Sequence, residues 1–386
     1  MPRKRDSSPV GRRRQVPARS PAKRPEISRP ERPAAGNRLA EVVSMIAGFA
    51  ALAVGGVAVG LELERRLISK RIDRSSQTEL ESFFALHSSG PAVTTADGVV
   101  LHTEVEEPST MGDDDFTVVW IHGFALNLDN WHFQRLHFRG RLRQVFYDLR
   151  SHGRSSRSAS EHCRLDQLAT DLLQVLDEVA GPGPVVLIGH SMGGMAIMRL
   201  AQSRPELFGT RVVGVGLLHT SAGEMADHSP IRGIPGRTFS RVAEPLMASL
   251  NRIPELVERT RKAGSDLGYV ATRRLAFASD VPPSYVEYVS DMLSQTPLEV
   301  VADFYPAFDE LNEYEALAGL SKLPVLVIGG EDDLFTPVGH TDRIAELLPD
   351  AEALRLPHCG HLGMIEHPDR VNEALEDLFD RVRAAR

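Results

Sequence analysis

A serine, two adjacent aspartates and a histidine, each in a short glycine-containing segment, are the residues of this chain best suited to chemistry. The serine lies in "VVLIGHSMGGMAIMRLA" (185–201), where Gly189, His190, Ser191, Met192 and Gly193 spell G-x-S-x-G and Gly194 follows. Val185 to Ile188 read as a buried strand, and Met192 to Ala201 carry the apolar spacing of a packed helix. A chain that passes from strand to helix in so few residues turns sharply. It holds the apex residue in a strained backbone and requires neighbours without bulk. Such a turn would hold the Ser191 hydroxyl clear of the sheet edge, at a helix N-terminus whose amide dipoles favour developing negative charge. A serine hydroxyl alone is a weak nucleophile and needs a base, an acid to orient that base, and donors for the oxyanion.

Two later segments offer the missing groups. Glu331-Asp332-Asp333-Leu334-Phe335-Thr336-Pro337 follows the strand-like "VLVIGG", and "LPHCGHLGMIEHP" (356–368), with His361 after Gly360, follows the next strand. Both should lie past strand carboxyl ends, on the same sheet edge as Ser191. A neutral imidazole can take the hydroxyl proton, and a buried carboxylate can fix its tautomer and stabilise the imidazolium. On position alone either Asp332 or Asp333 could be that carboxylate.

The elements that must position these groups follow an alternating pattern. "AVTTADGVVLHTEV" (92–105) has strand-like runs around Asp97-Gly98, a hairpin signal. "FTVVWIHG" (116–123), "RQVFYDLRS" (143–151), "RVVGVGLLHTSA" (211–222), "LPVLVIGG" (323–330) and "AEALRLPH" (351–358) read as further strands. "LDQLATDLLQVLDEV" (165–179), "HTDRIAELLP" (340–349) and "PDRVNEALEDLFDRV" (368–382) read as helices. This is the pattern of an α/β fold with a mostly parallel sheet covered by helices on both faces. Residues 223–320 interrupt the rhythm with mainly helical sequence containing Phe239, Met247, Tyr285, Tyr288, Phe304 and Phe308. They are expected to form a helical cap over the sheet's carboxyl edge, where open α/β sheets bind ligands. Most of its aromatic residues would make the cap's own core and some would line the pocket.

Charge and composition narrow the classes further. The 386-residue chain has a net charge of −8, but residues 1–40 hold 12 of its 44 Lys and Arg against Asp6, Glu26 and Glu31. The remainder has 32 basic against 49 acidic residues, a net −17, which argues against a nucleic-acid partner. Residues 1–38 are Pro- and Arg-rich and read as a basic disordered tail. Val42 to Leu61 carry no charge and are long enough to cross a bilayer, so 39–64 is a candidate transmembrane helix. A signal peptide or a soluble Ala/Gly-rich helix are the alternatives, and nearby basic residues do not fix a membrane orientation. Residues 65–90 are assigned to a linker, 91–222 and 321–386 to the two parts of the α/β core. Cys163 and Cys359 show no disulfide or metal spacing.

Four motifs in order, His122-Gly123, G-H-S-M-G, the G-x-x-D-x-x-x-P run from Gly330 to Pro337, and Gly360-His361, make this sequence resemble the α/β-hydrolase family over about residues 91–386. The resemblance implies an α/β-hydrolase fold with Ser191 as nucleophile, Asp333 as acid and His361 as base. It also implies an oxyanion hole from the amides of Phe124 and Met192, with Gly189, Gly193, His122, Gly123 and His190 in supporting roles. The family's spacing to proline favours Asp333 over Asp332. His358 is expected to end its strand, His367 to sit on the surface, and "YDLRSHGRSS" (147–156) to form a polar turn near the oxyanion loop. His219-Thr220 ends the strand where some relatives carry the acid, but "LLHTSA" (217–222) holds no Asp or Glu.

The expected activity is that of a serine hydrolase of esterase or lipase type, acting on a small, apolar ester or acyl substrate. Perhydrolases of the non-haem haloperoxidase type, C–C hydrolases and acyltransferases share the same residues and differ in pocket shape. Epoxide hydrolases and haloalkane dehalogenases are disfavoured, because Ser191 stands where those relatives have aspartate. A non-catalytic membrane-tethered binding protein would be expected to have lost a triad member, and none is missing. No metal or organic cofactor is implied.

Overall fold

Strand after strand in this chain is buried on both faces, which is what a sheet covered by two helical layers demands of its sequence. The computed structural model describes residues 82–109, 116–225 and 265–386. The basic tail (1–38), the candidate transmembrane helix (39–64), residues 65–81 of the linker and residues 226–264 of the expected cap lie outside the described residues. Among the described residues, no helix is long and apolar enough to cross a membrane.

The main sheet has seven strands: β3 (Thr103–Glu106), β4 (Thr117–Ile121), β5 (Arg143–Tyr147), β6 (Val185–His190), β7 (Val212–Leu218), β8 (Val325–Gly330) and β9 (Glu352–Leu356). Their spatial order is β3-β5-β4-β6-β7-β8-β9, with β3 antiparallel to β5 and every other pair parallel. The Asp97-Gly98 hairpin does form, but its strands β1 (Val93–Thr94) and β2 (Val100–Leu101) make a separate two-stranded sheet. The main sheet begins two residues later, at β3.

Alternation within each strand feeds two apolar layers. Val119, Ile121, Val185 and Leu187 pack with helices α2 (Leu165–Val175) and α3 (Met192–Ser203). Val118, Trp120, Val186 and Ile188 face the opposite layer, with Phe138 of α1 (His132–Phe138). The helices of the segment between β7 and β8, α4 (Ser265–Ala276), α5 (Pro283–Gln295), α6 (Leu298–Asp309) and α7 (Leu317–Leu320), do more than make a core of their own. Val286, Tyr288 and Met292 join one core layer, and Val300 and Phe304 join the other. After β8 come α8 (Val338–Leu347), α9 (Gly363–Glu366) and the C-terminal α10 (Pro368–Ala384), whose Leu375 and Phe379 complete the second layer.

The end of the expected linker is also packed. Phe83 is buried, with its ring 4.7 Å from Tyr288 and 5.0 Å from His132. Residues 82–90 are therefore part of the folded body. Two adjacent phenylalanines in a polar run gave a signal too short to read as an element.

One buried ion network fastens the hairpin to the sheet. Arg150 is fully buried and forks onto Asp171 of α2 at 2.6 and 2.7 Å, and onto Asp97 in the hairpin turn at 2.8 and 3.2 Å. Removing one partner of such a network strands a buried carboxylate. Arg150→Ala is expected to cost about 3–5 kcal/mol in urea unfolding. Arg150→Met combined with Asp171→Leu should recover most of that, whereas a loss below about 1 kcal/mol for the single variant would mean solvent reaches the network.

Candidate active site

Ser191 follows β6 directly and precedes α3, and its backbone has φ 51 and ψ −117, a sparsely populated region for a residue with a side chain. The strain is held from both sides. The Ser191 N–H donates to Leu218 O (2.9 Å), and its carbonyl accepts from Thr220 Oγ1 (2.7 Å). The small neighbours are required by space. A Cβ on Gly193 would stand 2.3 Å from the Ile121 carbonyl oxygen, and one on Gly189 would stand 2.6 Å from the Gly193 backbone. The sharp strand-to-helix turn expected from G-H-S-M-G is thus present, with the hydroxyl at the start of a twelve-residue helix.

Asp333 and His361 meet at the same rim, past the carboxyl ends of β8 and β9. His361 Nδ1 lies 2.8 Å from Asp333 Oδ2. Asp333 Oδ1 accepts from the N–H groups of Phe335 (2.8 Å) and Thr336 (3.0 Å), and Oδ2 also accepts from Thr336 Oγ1 (2.9 Å). Burial alone would push this carboxyl up, but the two facing imidazoles, His361 and His219, and their hydrogen bonds hold it well below the usual carboxylate range. Asp332 is exposed, and its N–H donates to the Cys359 carbonyl. Of the two aspartates, only Asp333 reaches His361.

His190 couples the serine turn to the histidine loop. Its Nε2 donates to the His361 carbonyl (3.0 Å), and the two rings are 4.9 Å apart. Ser191 Oγ and His361 are not hydrogen-bonded to each other. Catalytic hydrogen bonds of this kind are often long without substrate and tighten when it binds.

The N–H groups expected to bind an oxyanion lie in the loop after β4 and at the start of α3. Phe124 N–H has no acceptor among the described residues, and Met192 is the first residue of α3, where N–H groups have no partner inside the helix. His122 fixes the loop. Its Nε2 accepts from Leu149 N–H (2.9 Å), so its proton is on Nδ1, which donates to the Gly123 carbonyl (2.7 Å). In a trans peptide that carbonyl points opposite to the next N–H, so the same bond aims Phe124 N–H. Burial, together with His152, pushes His122 down to about 3, which keeps it neutral, and these two bonds occupy both ring nitrogens. Gly123 lies against the His190 ring, where a Cβ would be 2.5 Å from Nδ1.

The inserted helices touch both sides of the rim. Thr296, after α5, donates its hydroxyl to the Ala125 carbonyl (3.0 Å), next to Phe124. At the end of α4 the Ala276 carbonyl accepts from His361 N–H (2.9 Å). Aromatic side chains stand at two places on this rim: Phe308 packs 5.1 Å from Phe124, and the partly exposed Phe335 packs 5.2 Å from His361.

The remaining histidines and the polar turn hold structure. His358 follows β9, and its carbonyl lies 3.3 Å from His367 Nε2. In the 147–156 turn, Asp148 accepts from the N–H groups of Leu128 and Arg154, both at 2.8 Å. His152 Nδ1 donates to the Arg150 carbonyl (2.8 Å).

Sequence reasoning missed two residues. Glu366, five residues after His361, accepts from Gly360 N–H (2.7 Å) and Ala278 N–H (2.8 Å), tying the histidine loop to the inserted segment. His219 lies 3.2 Å from Asp333 Oδ2 through Nδ1. Its position at a strand end on the same rim was the available signal. His219, Asp333 and His361 could be counted as three metal donors, all within 4.8 Å. However, both Nδ1 atoms address one carboxylate oxygen at N–H···O distances, which is a hydrogen-bonding arrangement.

A strained serine at a strand-to-helix turn, an Asp–His pair at neighbouring strand ends and a mostly parallel sheet define the class of the α/β hydrolases. The model of the Alpha/beta hydrolase family matches residues 118–374, and the chain belongs to that family. It is 27% identical over 265 residues to the pimeloyl-[acyl-carrier protein] methyl ester esterase of Nitrosomonas europaea, covering 68% of this chain and 94% of that one. It is 28% identical over 265 residues to the dihydrolipoyllysine-residue acetyltransferase component of the acetoin cleaving system of Pseudomonas putida, covering 68% of this chain and 63% of that relative's length. In fold it is similar to a thermophilic esterase from Thermogutta terrifontis, with a TM-score of 0.59 and 24% identity over 76% of this chain and 99% of that one.

Proposed function

We propose that this chain is a serine hydrolase that cleaves carboxylic esters through a Ser191–His361–Asp333 triad and an acyl-enzyme. The observation that carries this reading is the 2.8 Å bond between His361 Nδ1 and Asp333 Oδ2, on the rim where Ser191 is held in a strained turn. A proton kept on Nδ1 by a carboxylate leaves the Nε2 lone pair for the serine hydroxyl. Ser191 Oγ attacks the acyl carbon while its proton passes to His361 Nε2. The oxyanion takes hydrogen bonds from Phe124 and Met192 N–H, donors already in place before charge develops. His361 returns the proton to the departing alkoxide, leaving the acyl group on Ser191. Water then gives a proton to His361 and its oxygen to the acyl carbon, and the acid leaves as Ser191 recovers its proton.

The aromatic side chains Phe124, Phe308 and Phe335 beside the proposed site favour an apolar acyl or alcohol group. The name of the Nitrosomonas relative, a methyl ester esterase, points to the same bond. Rapid mixing with nitrophenyl esters of increasing acyl length tests the proposal. The expected result is a burst of nitrophenolate equal in amount to the enzyme, with an acyl adduct of matching mass on Ser191. Release no faster than in buffer, with no adduct, would remove the ester reading. Hydrogen peroxide or an alcohol added as competing acceptor measures how the acyl group is discharged.

A further inference from the structure

We infer that His219 is a positioning residue for Asp333, a second imidazole that shares the carboxylate with His361 and fixes its direction. The inference rests on the triad reading above and extends it to a residue outside the three.

The geometry assigns the proton. His219 Nε2 accepts from the Gly363 backbone N–H (3.2 Å), so it cannot also carry hydrogen. Its Nδ1 is then the N–H, and it donates to Asp333 Oδ2 at 3.2 Å. One tautomer satisfies both ring nitrogens of a side chain with no solvent exposure. The fit around the ring is close: a Cβ on Gly363 would stand 2.3 Å from His219 Nε2. The backbone is constrained as well, with φ 48 at His219 and its N–H donating to Ile328 O (2.7 Å). Nonglycine residues held in the left-handed region are costly and persist where surroundings over-determine them.

Two consequences follow for the triad. The ring stands between the loop bearing Asp333 and the segment after His361, so it sets their separation. Its N–H also draws on the charge of Oδ2, the oxygen that faces His361 Nδ1. A carboxylate shared between two imidazoles pulls less on an imidazolium than one devoted to a single ring. His361 can then hand its proton on more readily to a leaving group. His219 itself keeps its proton throughout. Burial, with His361 close by, holds it neutral, against the opposing pull of Asp333. The ionisable groups facing this cluster are His190 from β6, Asp333 from the loop after β8, and His361 and Glu366 from the segment after β9.

The test uses the full chain in two readouts. Long-range proton–nitrogen NMR of protein labelled at histidine should show His219 as the neutral Nδ1–H tautomer from pH 5 to 9. Kinetics with a nitrophenyl ester should show His219→Phe lowering kcat about tenfold with little change in KM. The acid limb of its kcat/KM profile should move up by about half a pH unit or more. His219→Asn, whose amide nitrogen takes the place of Nδ1, should return both towards wild type. A general packing defect would leave the limb in place and would not be rescued by the smaller Asn. An Nε2–H tautomer for His219, or an unmoved limb in a folded variant, overturns the inference. If the wild type neither hydrolyses esters nor reacts with a fluorophosphonate probe, the nucleophile assignment fails instead. The tautomer measurement on the same sample then still decides whether His219 donates to Asp333.

Discussion

Ser191→Ala is expected to lower ester turnover by roughly 10⁴-fold or more and to abolish fluorophosphonate labelling, without unfolding the protein. The size of the effect follows from the role proposed: alanine removes the oxygen that would attack the acyl carbon, and the neighbouring Thr220 hydroxyl is held on the residue 191 carbonyl. Retention of the fold follows from how the turn is held. The bonds that Ser191 makes use its backbone N–H and carbonyl, to Leu218, Thr220, Gly194 and Met195, and alanine keeps all of them. The variant should therefore unfold within a few degrees of wild type in a thermal scan. Turnover within tenfold of wild type would place the nucleophile elsewhere.

Asp333→Asn should have the next largest effect, a loss in kcat of about 10⁴-fold, while Asp332→Asn stays near wild type. An amide cannot fit this site in either orientation. Oδ2 receives donors from His361, His219 and Thr336, and Oδ1 receives the N–H groups of Phe335 and Thr336. Whichever position the NH₂ takes, donor meets donor, and the His361 tautomer is no longer held. The same substitution should lower stability, with a specific pH dependence. The wild-type carboxyl is depressed in the folded state, so its contribution is complete above the unfolded value of about 3.9 and is withdrawn as pH falls below that. Denaturation midpoints of Asp333→Asn and wild type should differ most near neutrality and converge in acid. A constant gap across pH would show that the carboxylate charge is not what the fold uses.

The strands and the residues at their ends were legible because buried parallel strands are short β-branched runs that stop at glycine or proline. β6, β8 and the positions of Ser191, Asp333 and His361 follow from that grammar. The preference for Asp333 over Asp332 needed family spacing; in the structure Asp333 is buried under five donors, one of them His361, while Asp332 is exposed. His219 was not legible as a partner. A histidine at a strand end has no periodic signature, and its contact with Asp333 spans 114 residues of chain. The way the inserted helices enter both core layers was hidden for a similar reason. Amphipathic spacing in α5 and α6 marks a face to be buried without saying against what. Residues 82–90 were read as linker because Phe83 finds its partners, Tyr285 and Tyr288, some 200 residues away.

The inserted helices bear on any attempt to re-engineer substrate range. The Thr296 hydroxyl on Ala125 and the Ala276 carbonyl on His361 make this segment a splint across the two halves of the proposed reaction centre. A graft from a relative that transfers only the residues facing the substrate would leave those two main-chain anchors without their mates. Such chimeras should lose rate on every ester alike before they gain preference for any, and restoring the two anchors should be the first repair.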